Sequence, residues 1–150
     1  MRSGVLTTKV FDVMRIVGSN LDTREKLCVI MFDEVKIKET LEYDQQADEV
    51  VGPHKHLQLY MVRGLLSKWK QPVRVDFDQK VIKELLFGLI RKLYDCSYQV
   101  VCCSSDCGGG NVGLWGELSV TIDEPFFFIS TYQRKNFLCI RCTTFIKIIA

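Results

Sequence analysis

Two aspartates stand directly after apolar stretches of the chain. Asp33 ends the run Leu27–Phe32, and Asp106 follows the run Tyr98–Cys103 after two serines. A carboxylate at the end of a buried strand is held on a rigid backbone. It also lies at the sheet edge where ligands bind in α/β folds. If the two strands are neighbours, the pair can share Mg²⁺ or Mn²⁺, which prefer hard oxygen ligands. The alternative is that both aspartates only cap the turns that follow.

A basic stripe with one aromatic side chain is the second candidate. Lys68, Trp69, Lys70 and Arg74 lie close together in the sequence, with Arg63 just before them. Cations interleaved with an aromatic ring suit a nucleic-acid backbone and its bases. A solvated strand face explains the same residues equally well.

The glycine-rich turn Gly108–Gly110 is not predicted to bind phosphate. No Lys-Ser/Thr pair follows it, and the GxGxxG spacing is absent. A tight connection from a strand to a helix, with Asn111 as the helix N-cap, is the preferred interpretation.

The cysteines and histidines are also given structural roles. Cys139 and Cys142 form a CxxC, but Cys103 and Cys107 have the wrong spacing to complete a zinc site. Buried, inert thiols are therefore expected. His54-Lys55-His56 is expected to be exposed in a loop rather than to form a ligand pair.

Composition limits the class of protein. The chain has 150 residues, a formal net charge of +2 and seven cysteines, which suits one globular domain rather than a disordered or strongly basic one. No apolar run is long enough for a membrane span, and Lys9, Asp12 and Arg15 rule out a signal peptide at the start of this sequence. Free thiols then indicate a nuclear or cytoplasmic location and no membrane partner.

Hydrophobic spacing predicts the elements that must position these residues. Val10, Val13, Met14 and Val17 predict a helix over 5–18. A second helix is predicted over 81–93 with Asp78 as its N-cap, and a short one through Leu114 and Leu118. Strands are predicted over 27–32, 35–43, 57–62, 72–77, 98–103 and 137–142, with a loop over 44–55.

This order favours a mixed α/β fold. Several early strands joined locally, then a strand–helix–strand crossover, give a mixed sheet with helices packed on it. The unbroken apolar run before Asp33 is typical of a central strand covered on both faces. An RNase H-like fold has this order, whereas a flavodoxin-like sheet needs helices between its first strands.

Three segments together resemble signatures of P-element-type transposases, a family of cut-and-paste DNA transposases. Residues 27–35, LCVIMFDEV, resemble the family's LCxLxFDEM segment. MVRGL at 61–65 followed by WKQPV at 69–73 resembles the next signature. SDCGGGN at 105–111, followed by LW and EL, resembles a third. The similarity runs in register from about residue 5 to about residue 130.

This resemblance implies an incomplete RNase H-like nuclease fold that acts on DNA in the nucleus. The family's acidic triad binds two Mg²⁺ ions for phosphodiester cleavage and strand transfer. Its first carboxylate falls on Asp33 and its second on Asp106.

The chain departs from the family at its third acid, a Glu without a counterpart in this sequence. Glu117, Asp123 and Glu124 do not occupy that place, and Arg141 and Thr144 stand where the family has an acid and a His. The resemblance therefore divides the chain into a leading helix over 1–24, a partial transposase core over 25–135 and a divergent segment over 136–150.

Three functions remain open at this stage. The preferred one is a fragment or degenerate copy of a transposase catalytic domain, with Mg²⁺ or Mn²⁺ bound weakly and no autonomous activity. The alternative is a nuclease-dead module that binds DNA or full-length transposase. A small, unrelated α/β enzyme in which Asp33 has another role is the third.

Overall fold

A mixed β-sheet organises the part of the chain that the structure, a computed structural model, describes. The described residues are 4–5, 9–45, 47–105, 109–121, 123–129 and 134–140.

Nine strands and three helices lie within these ranges. The strands are β1 (Gly4–Val5), β2 (Leu27–Lys36), β3 (Glu42–Asp44), β4 (Glu49–Val51), β5 (His56–Gly64), β6 (Lys70–Phe77), β7 (Gln99–Ser105), β8 (Phe126–Ile129) and β9 (Arg134–Ile140). The helices are α1 (Lys9–Ser19), α2 (Lys83–Asp95) and α3 (Gly109–Glu117).

Seven of these strands form one sheet in the order β1-β6-β5-β2-β7-β9-β8, and β3 pairs with β4 separately. The strand β5 runs antiparallel to both β6 and β2, whereas β2, β7 and β9 run parallel. The helix α2 provides the crossover between β6 and β7 that parallel strands need. The predicted mixed α/β sheet is confirmed.

The central strand β2 has one fully buried face. Cys28, Ile30 and Phe32 are buried in the core, while Leu27, Val29 and Met31 on the other face are only partly buried. The expectation that this strand is covered on both faces is therefore wrong for the described residues. The apolar run reflects one core face and one half-covered face.

The helix α1 covers residues 9–19, with a different buried face from the predicted one. Phe11, Met14 and Gly18 are buried, whereas Val13 and Val17 are exposed. The reason is Tyr98: its hydroxyl donates to the Met14 carbonyl at 2.9 Å. Its ring lies 3.0 Å from where a Cβ on Gly18 would stand, so this glycine lets the helix approach the ring.

The helix α2 packs Leu86, Leu89, Ile90 and Leu93 into the core and begins at Lys83. Its N-cap is Ile82, which makes no side-chain capping hydrogen bond. The prediction that Asp78 caps this helix is wrong, because its carboxylate accepts hydrogen bonds from the backbone N–H groups of Lys55 and His56 at the start of β5 instead.

Three other boundaries differ from the predicted ones. The strand β2 continues past Asp33 to Lys36, residues 37–41 form no strand, and the end of the predicted strand over 35–43 lies in a short β3–β4 hairpin that extends into the predicted loop over 44–55. Asn111 lies inside the first turn of α3 and is buried, so it does not precede the helix as a cap. The strand β9 begins at Arg134, three residues before the predicted strand over 137–142, and pairs with β7.

No helix in the described ranges is long and apolar enough to cross a membrane.

The turn between β5 and β6 depends on a glycine. A Cβ on Gly64 would lie 2.7 Å from the Trp69 indole nitrogen, which is itself fixed because it donates to the Glu25 carbonyl at 3.0 Å. Trp69 also packs edge-on against Tyr98 at 5.1 Å.

We therefore expect Gly64→Ala to lower the free energy of unfolding by roughly 1–3 kcal/mol, since it overpacks a fixed indole. Gly88→Ala is the matched control: nothing lies within 4 Å of its Cβ position, and helix propensity predicts a gain of roughly 0.5–1 kcal/mol. Urea unfolding of both variants measures the difference. Equal stabilities would show that the turn adjusts freely around a methyl group.

Candidate functional site

Asp33 lies on β2 at the point where the burial of the strand ends. On one side β2 pairs with β5 as far as Lys36, and Asp33 stands opposite Leu59. On the other side, within the described residues, parallel pairing with β7 sets Phe32 opposite Ser105. Phe32 is 1% exposed, whereas Asp33 to Lys36 are all exposed. Asp33 is thus held by backbone pairing to β5 while its side chain reaches solvent.

Asp106 lies outside the described residues. It follows Ser105 in the sequence as Asp33 follows Phe32, and Ser105 and Phe32 are register partners. The expected approach of the two carboxylates stays a prediction.

The Asp33 carboxylate is available to a ligand. Among the described residues it makes no hydrogen bond and no ion pair, although Glu34 beside it approaches His56 at 3.8 Å. The same ranges contain no group of three or more side chains able to hold a metal ion. Hard cations prefer carboxylate oxygens as ligands. Asp33 offers such a carboxylate on a paired strand, and it would be one of several ligands.

The Asp78 carboxylate fixes the chain segment beside this edge. It accepts hydrogen bonds from the backbone N–H groups of Lys55 and His56, both at 2.9 Å, and contacts His54 Nδ1 at 2.9 Å. The hydrogen bond from His56, followed by those from His54 and Lys55, lowers the pKa of Asp78. His54 also stacks on Phe77 at 4.4 Å. The two histidines therefore anchor the return from the β3–β4 hairpin, which sequence reasoning missed.

The residues of the basic stripe do not form one exposed surface in the structure. Lys68 and Lys70 are exposed at the β5–β6 turn, which follows Gly64, whereas Asp33 stands opposite Leu59 nearer the middle of β5. Trp69 is half-buried and its indole is engaged by Glu25 and Tyr98. That this stripe binds nucleic acid stays a prediction, and the two lysines are its accessible part.

Arg74 has an internal partner. Its Nε and a terminal nitrogen donate to the two carboxylate oxygens of Asp76 at 2.6 and 2.8 Å, and Asp76 is completely buried. Tyr60 lies opposite Arg74 on β5, and burial, followed by the charge of Asp76, raises the pKa of its hydroxyl. The alternation of Val73, Arg74, Val75 and Asp76 gave no sign of this pair, because the two polar residues fall on one face and look solvated.

The described cysteines fit the expectation of inert thiols. Cys28, Cys96 and Cys103 are buried and none of the four described cysteines forms a disulfide. Burial raises the pKa of Cys28 to about 12 and that of Cys103 well above its ordinary value. Because the thiolate is the metal ligand and nucleophile, these side chains are poor candidates for either role. The side chains of Cys107, Cys139 and Cys142 lie outside the described residues.

The antiparallel strands β6, β5 and β2, continued by the parallel strands β7 and β9, define an RNase H-like domain, with Asp33 on its central strand β2. Residues 3–119 match the family model described as TNP-like, RNase H N-terminal domain, and the chain belongs to this family.

Two similar proteins make the relationship specific. The chain is 42% identical over 118 residues to the Transposable element P transposase of Drosophila melanogaster, an alignment covering 79% of this chain and 15% of that protein. A solved chain of the Drosophila P element transposase strand transfer complex matches with a TM-score of 0.84 and 38% identity, over 93% of this chain and 31% of that one. The resemblance to P-element-type transposases is confirmed, and this chain spans a small part of their length.

The paired Arg74 predicts a stability effect. Arg74→Ala leaves the Asp76 carboxylate buried without its partner, so we expect the free energy of unfolding to fall by roughly 3 kcal/mol or more. Lys68→Ala, an exposed change within the same predicted stripe, should stay within about 0.5 kcal/mol of the parent. Thermal or urea unfolding at neutral pH measures both.

A double variant distinguishes loss of the pair from loss of packing. Arg74→Met/Asp76→Leu removes both charges and should recover most of the lost stability. If Arg74→Ala were as stable as Lys68→Ala, the ion pair would have no structural role, and Arg74 would be free to contact a ligand.

Proposed function

We propose that this domain uses Asp33 and Asp106 to hold a Mg²⁺ or Mn²⁺ ion against the phosphodiester backbone of DNA. In this proposal the domain is part of the machinery for transposase-type cleavage and strand transfer, and the chain of 150 residues does not cut DNA by itself. The observation that carries the proposal is the parallel register of β2 with β7, which sets Phe32 opposite Ser105.

Parallel register supports the pairing of the two aspartates. Neighbouring strands lie about 4.8 Å apart, and each aspartate is the next residue after a register partner. Their carboxylates are therefore expected within roughly 4–7 Å of each other, a separation that suits a shared cation or a bridged pair.

The residues present fit one weakly held cation. Asp33 is exposed and, among the described residues, has no competing partner. A bound divalent cation would stabilise negative charge on the phosphate oxygens and help to activate a water or hydroxyl nucleophile. Asp33 and Asp106 would hold the cation and orient it toward the DNA.

Two features argue against autonomous activity. The resemblance assigns only two of the family's three acids to this sequence, while Glu117, Asp123 and Glu124 are exposed acids that do not match the third. Two cations repel each other unless enough anionic ligands surround them. The net charge of +2 also provides few contacts to phosphates.

DNA is the proposed partner, and the nucleus is the proposed location. Lys68 and Lys70 are exposed cations, so binding through them should be weak, independent of sequence and sensitive to salt. This observation also supports the second candidate, a nuclease-dead module that contacts DNA or full-length transposase.

We expect no nicking when the purified chain is incubated with supercoiled plasmid and Mn²⁺. The control is the Asp33→Ala/Asp106→Ala variant, which should give the same background. It should also melt at the same temperature as the parent or higher without metal, because it removes clustered negative charge. Nicking by the parent that disappears in the variant would show that another acid completes the site, and would contradict the proposed inactivity.

A further inference from the structure

The β3–β4 hairpin presents an apolar face surrounded by acids. Tyr43 and Val50 are cross-strand partners and are 59% and 64% exposed, as is the nearby Leu41 at 64%. Residues 42–51 contain four acidic residues and no Lys or Arg. We call this surface the acidic hairpin. Tyr43 and Val50, exposed side by side on this hairpin just after the exposed Leu41, indicate a contact surface.

The turn between β5 and β6 presents the opposite charge. Leu65 and Leu66 are 49% and 65% exposed. Residues 63–70 contain Arg63, Lys68 and Lys70 and no acid. We call this surface the basic turn.

The basic turn has a fixed shape. The Gly64 amide donates to the Trp69 carbonyl at 3.0 Å and the Leu65 amide to the Leu27 carbonyl at 2.8 Å. The Trp69 indole N–H donates a hydrogen bond to the Glu25 carbonyl. Little conformational entropy is therefore lost when a partner binds the two leucines.

The two surfaces cannot meet within one molecule. The acidic hairpin follows Lys36, which is paired with His56 at one end of β2, whereas the basic turn adjoins the Cys28–Gly64 pair at the other end. Eight residues of strand separate these pairs, a distance of roughly 27 Å. Between two molecules, however, apolar side chains and opposite charges are complementary.

We propose that the acidic hairpin of one molecule docks on the basic turn of the next, so that the chain self-associates head to tail. The interface is heterologous, since each molecule contributes a different surface to each of two contacts, and it extends into a chain or closes into a ring. DNA explains the three cations of the basic turn but gives Leu65 and Leu66 no partner. The proposal is independent of the metal site.

Sedimentation velocity over a concentration series tests the proposal with two variants at strongly exposed positions. Val50→Lys places a cation in the acidic hairpin, and Leu66→Glu places an acid in the basic turn. The parent should show a mass-average sedimentation coefficient that rises with protein concentration. This rise should be smaller in about 1 M salt than in about 0.1 M, because the Debye length falls from about 10 to about 3 Å.

Each variant alone should remain monomeric, and an equimolar mixture of the two should associate again, because each keeps the surface that the other has lost. Circular dichroism confirms folding, and Leu41→Lys and Leu65→Glu replace either variant that does not fold. A monomeric parent at every concentration, association of either variant alone, or a mixture that stays monomeric would overturn the proposal. A monomeric parent whose binding to a short DNA duplex is lost in Leu66→Glu would identify the basic turn as a nucleic-acid surface instead.

Discussion

The register of β2 against its two neighbours is the constraint on which the candidate site depends. Antiparallel pairing with β5 runs to Lys36, and parallel pairing with β7 sets Phe32 opposite Ser105. The burial of β2 ends at Phe32, so the paired backbone continues past that residue while the side chains of Asp33 to Lys36 are exposed. Asp33 therefore combines a backbone position fixed by β5 with an exposed carboxylate.

Three carboxylates of the fold differ in how deeply they are buried and in the partners that satisfy their charge. Asp76 is completely buried and receives both hydrogen bonds of a guanidinium, which offsets the cost of taking its charge out of water. Asp78 is more exposed and is satisfied by backbone N–H groups and His54. Asp33 has neither kind of partner among the described residues. Of these three carboxylates, it is the one whose charge the described structure leaves available to a cation.

Hydrophobic patterns in the sequence predicted the strands of the sheet more accurately than they predicted the partners of individual side chains. Hydrophobic runs located β2, β5, β6, β7 and α2, because burial of a whole element leaves a periodic record. The buried face of α1 was mispredicted, since Tyr98, 84 residues from Met14, selects that face. Asp78 was mispredicted as a helix cap because its backbone partners, Lys55 and His56, lie more than twenty residues away in the chain. The Arg74–Asp76 pair was missed because the burial of Asp76 depends on packing, which the local pattern does not encode. The exposure of Asp33 was predictable because it depends only on where the apolar run ends, although β2 itself continues to Lys36.

The most direct test is crystallographic. Crystals of the chain soaked with Mn²⁺ and measured near the manganese absorption edge should show one anomalous peak within coordination distance of both the Asp33 and Asp106 carboxylates. The peak should be lost in crystals of Asp33→Asn. Carboxylates that lie on opposite sides of the sheet, or an Asp106 side chain bound to the following turn with no anomalous peak, would contradict the proposed metal site.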